Sequence, residues 1–363
     1  MKQLPLPVLM LLLVRSMKAL VERIPDLSIG VPAGYLPYCP GVEKNSTLSK
    51  ETLQLLQVTI HWNTEGREYH KNFPIETVLH NILSDRHIDL KSRKTILYCV
   101  PYYEGAFAVS THDLGNLYYK MGYNVLILDT FATLTRHYPK AVRLSKAVGL
   151  EAGKLLVKLM EHGLDPDNLE LIGMSIGAQV ISYAAKHMKA VTGKRPHKIT
   201  GLDPSGPCYR NQPHEDVFFI NDAERVVAYH TNIDGLGTAR RLGHVDFYLN
   251  GGEFQPGDPG TFVCLDLCSH SKSLEFYLAM LRYPKLFIGV QCDSVQDARF
   301  AKCFGNPVQN YGGVFTDFSK PGIYYLPTNL EYPYYGGEEG LAAVNEPFEK
   351  YMRDDNSEDV FEA

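Results

Sequence analysis

Between residues 94 and 231, short apolar runs alternate with amphipathic stripes, and this alternation leaves few architectures open. The runs are Thr95 to Val100 (TILYCV), Asn124 to Leu128 (NVLIL), Leu169 to Ile172, His197 to Leu202, and Val226 to Thr231. Each is strand-sized, and TILYCV and NVLIL are nearly continuous apolar runs, as strands buried on both faces tend to be. Between them lie helical patterns. One starts at the N-cap residues Ser110-Thr111-His112-Asp113 and runs to Gly122. A second carries the stripe Val148, Ala152, Leu155, Leu156 and Leu159 and ends at Gly163. A third spans Ile176 to His187. The β-α-β-α rhythm predicts an α/β fold: a mostly parallel sheet with helices on both faces.

Bulk properties narrow the function. The chain has 363 residues, 45% hydrophobic and 21% charged, as an ordinary globular protein does. A net charge of −5 gives no reason to expect nucleic acid as a partner. Residues 1–19 read as a signal peptide: Lys2, the apolar run Leu6 to Val14, then small residues at Ser16 and Ala19. A buried N-terminal helix or an uncleaved anchor is the competing reading. Seven cysteines suit an oxidising compartment and leave at least one thiol without an intrachain partner. Asn45-Ser46-Thr47 is a glycosylation sequon in a polar stretch. The expected locale is secreted, extracellular. Residues 331–363 are rich in Tyr, Gly, Glu and Asp and are expected to form an acidic, solvated tail, leaving one domain over 20–330.

The chemistry centres on Gly173-Met174-Ser175-Ile176-Gly177, which follows the run Leu169 to Ile172 and opens a helix. That context fits a nucleophile elbow, in which a sharp strand-to-helix turn lifts the serine hydroxyl above the sheet. The N–H of Ile176, at the helix start, is placed to face a developing oxyanion. A serine nucleophile needs a base, and the base needs an orienting carboxylate, in the chain order Ser, acid, His for α/β-hydrolases. Asp203 ends the run His197 to Leu202 and so reaches the same sheet edge as Ser175; a turn-forming aspartate before Pro204 is the competing reading. His214, His230, His244 and His270 all lie downstream, and periodicity does not choose among them.

GMSIGA, ITGLDPSGPCY, YHTNIDGLG, GHVDFYLNGGEFQPG and CSHSKSLEFY occur in that order. Together they resemble the animal lipase family, which includes pancreatic, hepatic and lipoprotein lipases and the insect phospholipases A1. The resemblance runs from about Val58 to Pro327. It implies the α/β-hydrolase fold, Ser175 as nucleophile, Asp203 as acid and His270 as base, with His230 and His244 in structural roles. It also implies a Cys292–Cys303 disulfide, no cofactor, and a lipid ester substrate at a membrane or lipid-droplet interface. The lid of the family falls here on a short segment, Asp258 to Leu267, with Phe262, Val263, Leu265 and Leu267 as its apolar residues. Short lids in this family go with phospholipase A1 activity, long ones with acylglycerol activity.

Three departures from the family pattern matter. The cysteine that usually follows Q-P-G is replaced by Asp258, with Cys264 available instead. Upstream of Asp222, Val217-Phe218-Phe219-Ile220 offers few hard oxygen ligands, so no metal is expected. The strand Thr95 to Val100 runs into Pro101-Tyr102-Tyr103-Glu104-Gly105, where the family has His-Gly and an aromatic donor. A gapless match puts Pro101, which has no N–H, at the donor position; a shift of one residue puts Tyr102 there. The enzyme reading is therefore a serine carboxylic ester hydrolase, phospholipase A1 or acylglycerol lipase. The alternative is a catalytically silent lipid-binding or storage protein of the yolk-protein type.

Overall fold

The computed structural model describes residues 35–36, 38–256 and 265–342. Among them, eleven strands form one sheet in the order β10-β9-β11-β8-β7-β6-β5-β3-β4-β1-β2. The central strands are β3 (Thr95–Cys99), β4 (Asn124–Asp129), β5 (Leu169–Met174), β6 (Lys198–Leu202), β7 (Arg225–His230) and β8 (Val245–Leu249). All of them pair in parallel with their sheet neighbours in this block, and β11 (Gly322–Leu326) extends it in parallel beside β8. This is the α/β-hydrolase arrangement.

The edges are antiparallel, which the apolar runs did not announce. On one side β1 (Gln57–Thr64) pairs with β4 and folds back on β2 (Arg67–Pro74). The two residues between them, Glu65 and Gly66, both have positive φ (+53° and +77°), as a two-residue type I′ hairpin requires. On the other side β9 (Ile288–Cys292) pairs with β11 and with β10 (Gln309–Tyr311).

Helices cover both faces. In chain order they are α1 (Lys50–Gln54), α2 (Val78–Ser84), α3 (Val109–Lys120), α4 (Phe131–Leu134), α5 (Tyr138–Glu161), α6 (Ile176–Thr192), α7 (Leu265–Arg282) and α8 (Val295–Arg299). Strand side chains alternate between two cores. Leu97, Cys99, Leu126, Leu128 and Leu171 pack under α5 and α6, while Ile96, Tyr98, Val125, Ile127 and Ile172 pack under α3 and α7. Each such fully buried apolar side chain contributes about 1.5–3 kcal/mol of transfer free energy, offset by the entropy of ordering it.

Two disulfides are fully described. Cys292–Cys303 pins the start of β9's following loop, and Cys39–Cys208 spans 169 positions to tie the N-terminal segment to the loop after β6. Closing so long a loop is worth on the order of 5 kcal/mol in the chain-entropy picture. Cys268 is also disulfide-bonded, and Cys99 is free and buried. The expected tail departs from its reading at its near end. Tyr334 packs edge-on against Phe276, Tyr335 packs against Tyr283 and Phe287, and Tyr335 bridges back to Thr328. The tyrosines that the acidic composition masked have an apolar surface to cover, so the packed chain continues past 330. Residues 1–19 and those after 342 lie outside the described residues.

Candidate active site

Strands β3, β5 and β6 and helix α7 deliver the candidate groups to one edge of the sheet. Ser175 follows β5 at φ +56° and ψ −124°, a conformation L-residues avoid. The turn is pinned from both sides: Ser175 N–H donates to Leu202 C=O at 2.9 Å, and Ser175 C=O accepts from Ser205 N–H at 3.2 Å. Helix α6 then starts at Ile176. Its second residue, Gly177, lies so close to the carbonyls of Cys99 and Val100 that a Cβ there would clash with both. The end of β3 thus rests directly on the elbow.

Asp203 follows β6 at φ +40°, its N–H donating to Tyr229 C=O at 2.8 Å. It is fully buried, and both carboxylate oxygens are used. Oδ1 accepts the Thr231 N–H at 3.0 Å and, more weakly, the Asn232 N–H at 3.4 Å. Oδ2 accepts the Nδ1–H of His270 at 2.6 Å. A Cβ on Gly237 would strike this carboxylate, so only glycine fits there. The Gly237 loop is clamped by Arg210, whose Nη2 donates to the carbonyls of Gly235 (2.5 Å) and Gly237 (2.6 Å). Burial pushes the Arg210 guanidinium down to about 10, opposed by Tyr138, Asp234 and Asp203.

His270 lies on α7 and is buried like Ser175; they are 4% and 6% exposed. Its Nδ1 is committed to Asp203, so Nε2 is the ring nitrogen left for a reacting hydroxyl. Asn232 ties this helix to the acid loop: its amide nitrogen donates to Asp266 Oδ1 at 2.9 Å and to Glu253 C=O at 3.0 Å. Gln255 N–H donates to Ser269 Oγ beside His270. Among the four downstream histidines, only His270 bonds to Asp203. His230 places its ring nitrogens against Thr238 C=O (2.9 Å) and Asp246 Oδ1 (3.0 Å). His244 accepts the Val226 N–H, and exposed His214 faces Arg240.

The loop after β3 carries Pro101 and Tyr102. Glu104 N–H closes it onto Pro101 C=O at 3.3 Å, with Tyr103 at φ +63°. The Tyr102 hydroxyl donates to Arg136 C=O, and its ring packs edge-on against Tyr138. Tyr138 in turn bonds Ser205 Oγ at 2.5 Å, and burial pushes its phenol up to about 12. Tyr102 is thus fixed through two side chains to the loop beside Ser175. Glu104, held above the usual carboxylate range by burial, accepts from Ser110 and Thr111 at the start of α3.

The same sheet edge presents exposed apolar side chains: Tyr103, Phe107, Val109, Phe131 and, on α7, Leu267. Phe107 and Phe131 meet edge-to-face at 5.6 Å. Of the lid residues, Phe262, Val263 and the side chain of Leu265 lie outside the described residues. Asn45 is exposed in a loop. Among the described residues no three His, Cys, Asp or Glu side chains converge as metal ligands. The Asp222 carboxylate is held by the Lys186 ammonium at 2.7 Å and by Ser182 Oγ at 2.8 Å. No helix among the described residues is long and apolar enough to cross a membrane.

Sequence reasoning did not foresee Arg210, Thr231 or Asn232 as supports of the acid. The phrase YHTNIDGLG was visible, but nothing in its composition says that its amides turn toward Asp203. The Cys39–Cys208 pairing was equally silent.

Comparison with known proteins adds independent information. The family model described as Lipase matches residues 108–334. Lipase member H of Rattus norvegicus is 35% identical over 184 residues, covering 50% of this chain and 40% of that protein. Pancreatic lipase-related protein 2 of Myocastor coypus is 32% identical over 193 residues, covering 47% and 40%. The chain spans about two fifths of the length of these curated relatives. A solved structure, EstE5-PMSF, aligns at 14% identity with a TM-score of 0.30, covering 61% of this chain and 77% of that one.

Proposed function

The chain belongs to the Lipase family, and from that premise we propose that it is a serine carboxylic ester hydrolase acting on lipid, with Ser175, His270 and Asp203 as its triad. One observation carries the reading: the 2.6 Å bond from His270 Nδ1–H to a buried carboxylate at the sheet edge that also bears the Ser175 turn. In the proposed reaction, Nε2 of His270 takes the Ser175 proton as Oγ bonds to the acyl carbon. The carbonyl electrons move onto oxygen, and the N–H groups of Ile176 and Tyr102 receive the oxyanion. Collapse breaks the ester bond, and the imidazolium returns its proton to the leaving alcohol. Water, activated by the same imidazole, then releases the fatty acid and restores Ser175. Asp203 holds the tautomer that leaves Nε2 free to act.

The exposed Tyr103, Phe107, Val109, Phe131 and Leu267 give this edge an apolar rim suited to a membrane or lipid-droplet surface. The substrate is a phospholipid, cleaved in the manner of phospholipase A1, or an acylglycerol. The leader, the sequon at Asn45 and the disulfides fit a secreted protein over residues 20–330 and beyond. A fluorophosphonate probe tests the chemistry. The full-length chain should label once, and Ser175→Ala should not label at all; an unlabelled parent would favour a silent lipid-binding protein. A panel of phosphatidylcholine, triolein and a short-chain ester then separates the substrate classes.

A further inference from the structure

The loop that carries Tyr102 contains a half-buried carboxylate, Glu104, that the proposed reaction does not use. Pro101 to Glu104 form a tight turn, closed by the Glu104 N–H donating to Pro101 C=O at 3.3 Å. Tyr103, the third residue, has φ +63°, and none of the other three is at positive φ. That is the pattern of a type II turn, whose third position is ordinarily glycine. A tyrosine there is strained, and such strain persists only where the surroundings hold the chain on both sides. The bond that closes the turn does not use the Tyr102 N–H, and among the described residues no acceptor takes it.

On the near side the turn is held by the end of β3, where Val100 N–H donates to Leu128 C=O at 3.4 Å, and by the Tyr102 hydroxyl on Arg136 C=O. On the far side the first anchor is Glu104. Its Oε1 accepts the Ser110 hydroxyl at 3.0 Å and the Thr111 hydroxyl at 3.2 Å, both in the first turn of α3. That helix starts without a capping side chain at Ala108 and without an acidic residue in its first turn. The carboxylate from the preceding loop supplies the negative charge that a helix N-terminus favours. Burial raises Glu104 above the usual carboxylate range, and two hydroxyls, not a cation, oppose it. The next anchor, Ala106 N–H on Asp129 Oδ2 at 3.0 Å, lies past Gly105 and outside the turn.

We propose that Glu104 is a positioning residue: its contact with Ser110 and Thr111 holds the strained turn so that the Tyr102 N–H faces the oxyanion. The inference rests on the hydrolase reading above and adds the group that keeps the second donor aimed. Glu104 itself touches neither substrate nor the reacting atoms; it acts through the backbone of its neighbours.

The test is hydrolysis of a soluble short-chain ester by the full-length chain, with fluorophosphonate labelling of Ser175 beside it. A donor used only in the transition state shows in kcat and not in KM. Glu104→Ala should lower kcat about 10–100-fold, the range for a displaced group, with KM unchanged. Ser175 should still label to completion, which reports a folded protein. Glu104→Gln keeps an acceptor of the same shape and should recover most of the loss. Ser110→Ala with Thr111→Val removes the hydroxyls and should copy Glu104→Ala; all three together should cost no more than either alone. Tyr103→Gly relieves the strained position, so Glu104→Ala should cost far less in that background. If Glu104→Ala does not fold, the hydroxyl variants carry the same test. An active parent whose kcat is unchanged in these variants, losses that add, or a loss confined to KM or melting temperature overturns the assignment and leaves the hydrolase reading standing. A parent that neither hydrolyses the ester nor takes the label overturns that reading, and this inference with it.

Discussion

Among the described residues two aspartate–histidine pairs are fully buried, and their surroundings differ in one respect. At Asp246–His230, both ring nitrogens face acceptors and the ring stacks on Tyr248 at 4.3 Å. At Asp203–His270, the carboxylate fixes one nitrogen, and among the described residues no hydrogen bond engages the other, the one the proposed reaction uses. The first pair is closed on itself, whereas the second is held from one side only. Burial and an Asp–His bond therefore do not distinguish a reactive histidine from a structural one; the difference lies in the second nitrogen. The backbone carries the same contrast. Ser175 and Asp203 both sit at positive φ, strain of the kind the proposed reaction would put to use.

The comparison breaks most sharply at the acid. Asp203→Asn should keep the fold and cut turnover on a short-chain ester by about 10⁴-fold, because the imidazole tautomer is no longer enforced. A near-normal rate in a folded variant would place the acid elsewhere. The closed pair should answer in stability instead. Asp246→Ala strips His230 and the Leu242 and Gly243 amides of their acceptor. Denaturant unfolding should show a loss of about 3–5 kcal/mol, while the folded fraction still takes up a fluorophosphonate. If labelling is lost in the folded fraction, the two pairs are not independent.

A smaller effect probes the oxyanion donor beside the reactive pair. Tyr102→Pro removes one N–H and should lower turnover about 10²–10³-fold while leaving Ser175 labelable. An unchanged rate would move the donor away from Tyr102.

The smallest concerns a buried histidine that belongs to neither pair. Burial lowers the proton affinity of His61 from its ordinary 6.5; His112 and His70 lower it further, opposed by Asn116 and Glu68. The unfolded chain then binds this proton more readily than the native one. The contribution is present above about 6.5 and is lost as pH falls toward the depressed native value. Melting temperature should drop between pH 7.5 and 5, and His61→Gln should flatten that slope. An equal slope in the variant would assign the acid sensitivity to other groups.

What the sequence disclosed follows from which interactions are local. The parallel strands were legible because burial on both faces writes a continuous apolar run, as in TILYCV and NVLIL. The serine turn was legible because strand, Gly-x-Ser-x-Gly and helix are contiguous. The antiparallel edges were harder, since β1 and β2 mix exposed with buried residues; the Glu65-Gly66 turn was the available sign. Asp203 was recognisable as a strand end, but its choice over a plain turn residue rested on resemblance, as did that of His270. Their meeting depends on contacts 67 positions apart, which no local pattern encodes. The near end of the tail departs from a solvated reading because a composition rich in Tyr, Gly and Glu does not say that three tyrosines there meet aromatic partners on the domain.

The Cys39–Cys208 bond also sets an order of events during synthesis. At ~5–20 residues per second, the second cysteine emerges on the order of 10–30 s after the first. Cys99 is made within that interval and is the first thiol offered to Cys39. In the native chain it is fully buried in β3, and burial raises its thiol well above its ordinary value, leaving it unionised. Once the central strands have closed, Cys99 is thus withheld from exchange with the Cys39–Cys208 pair.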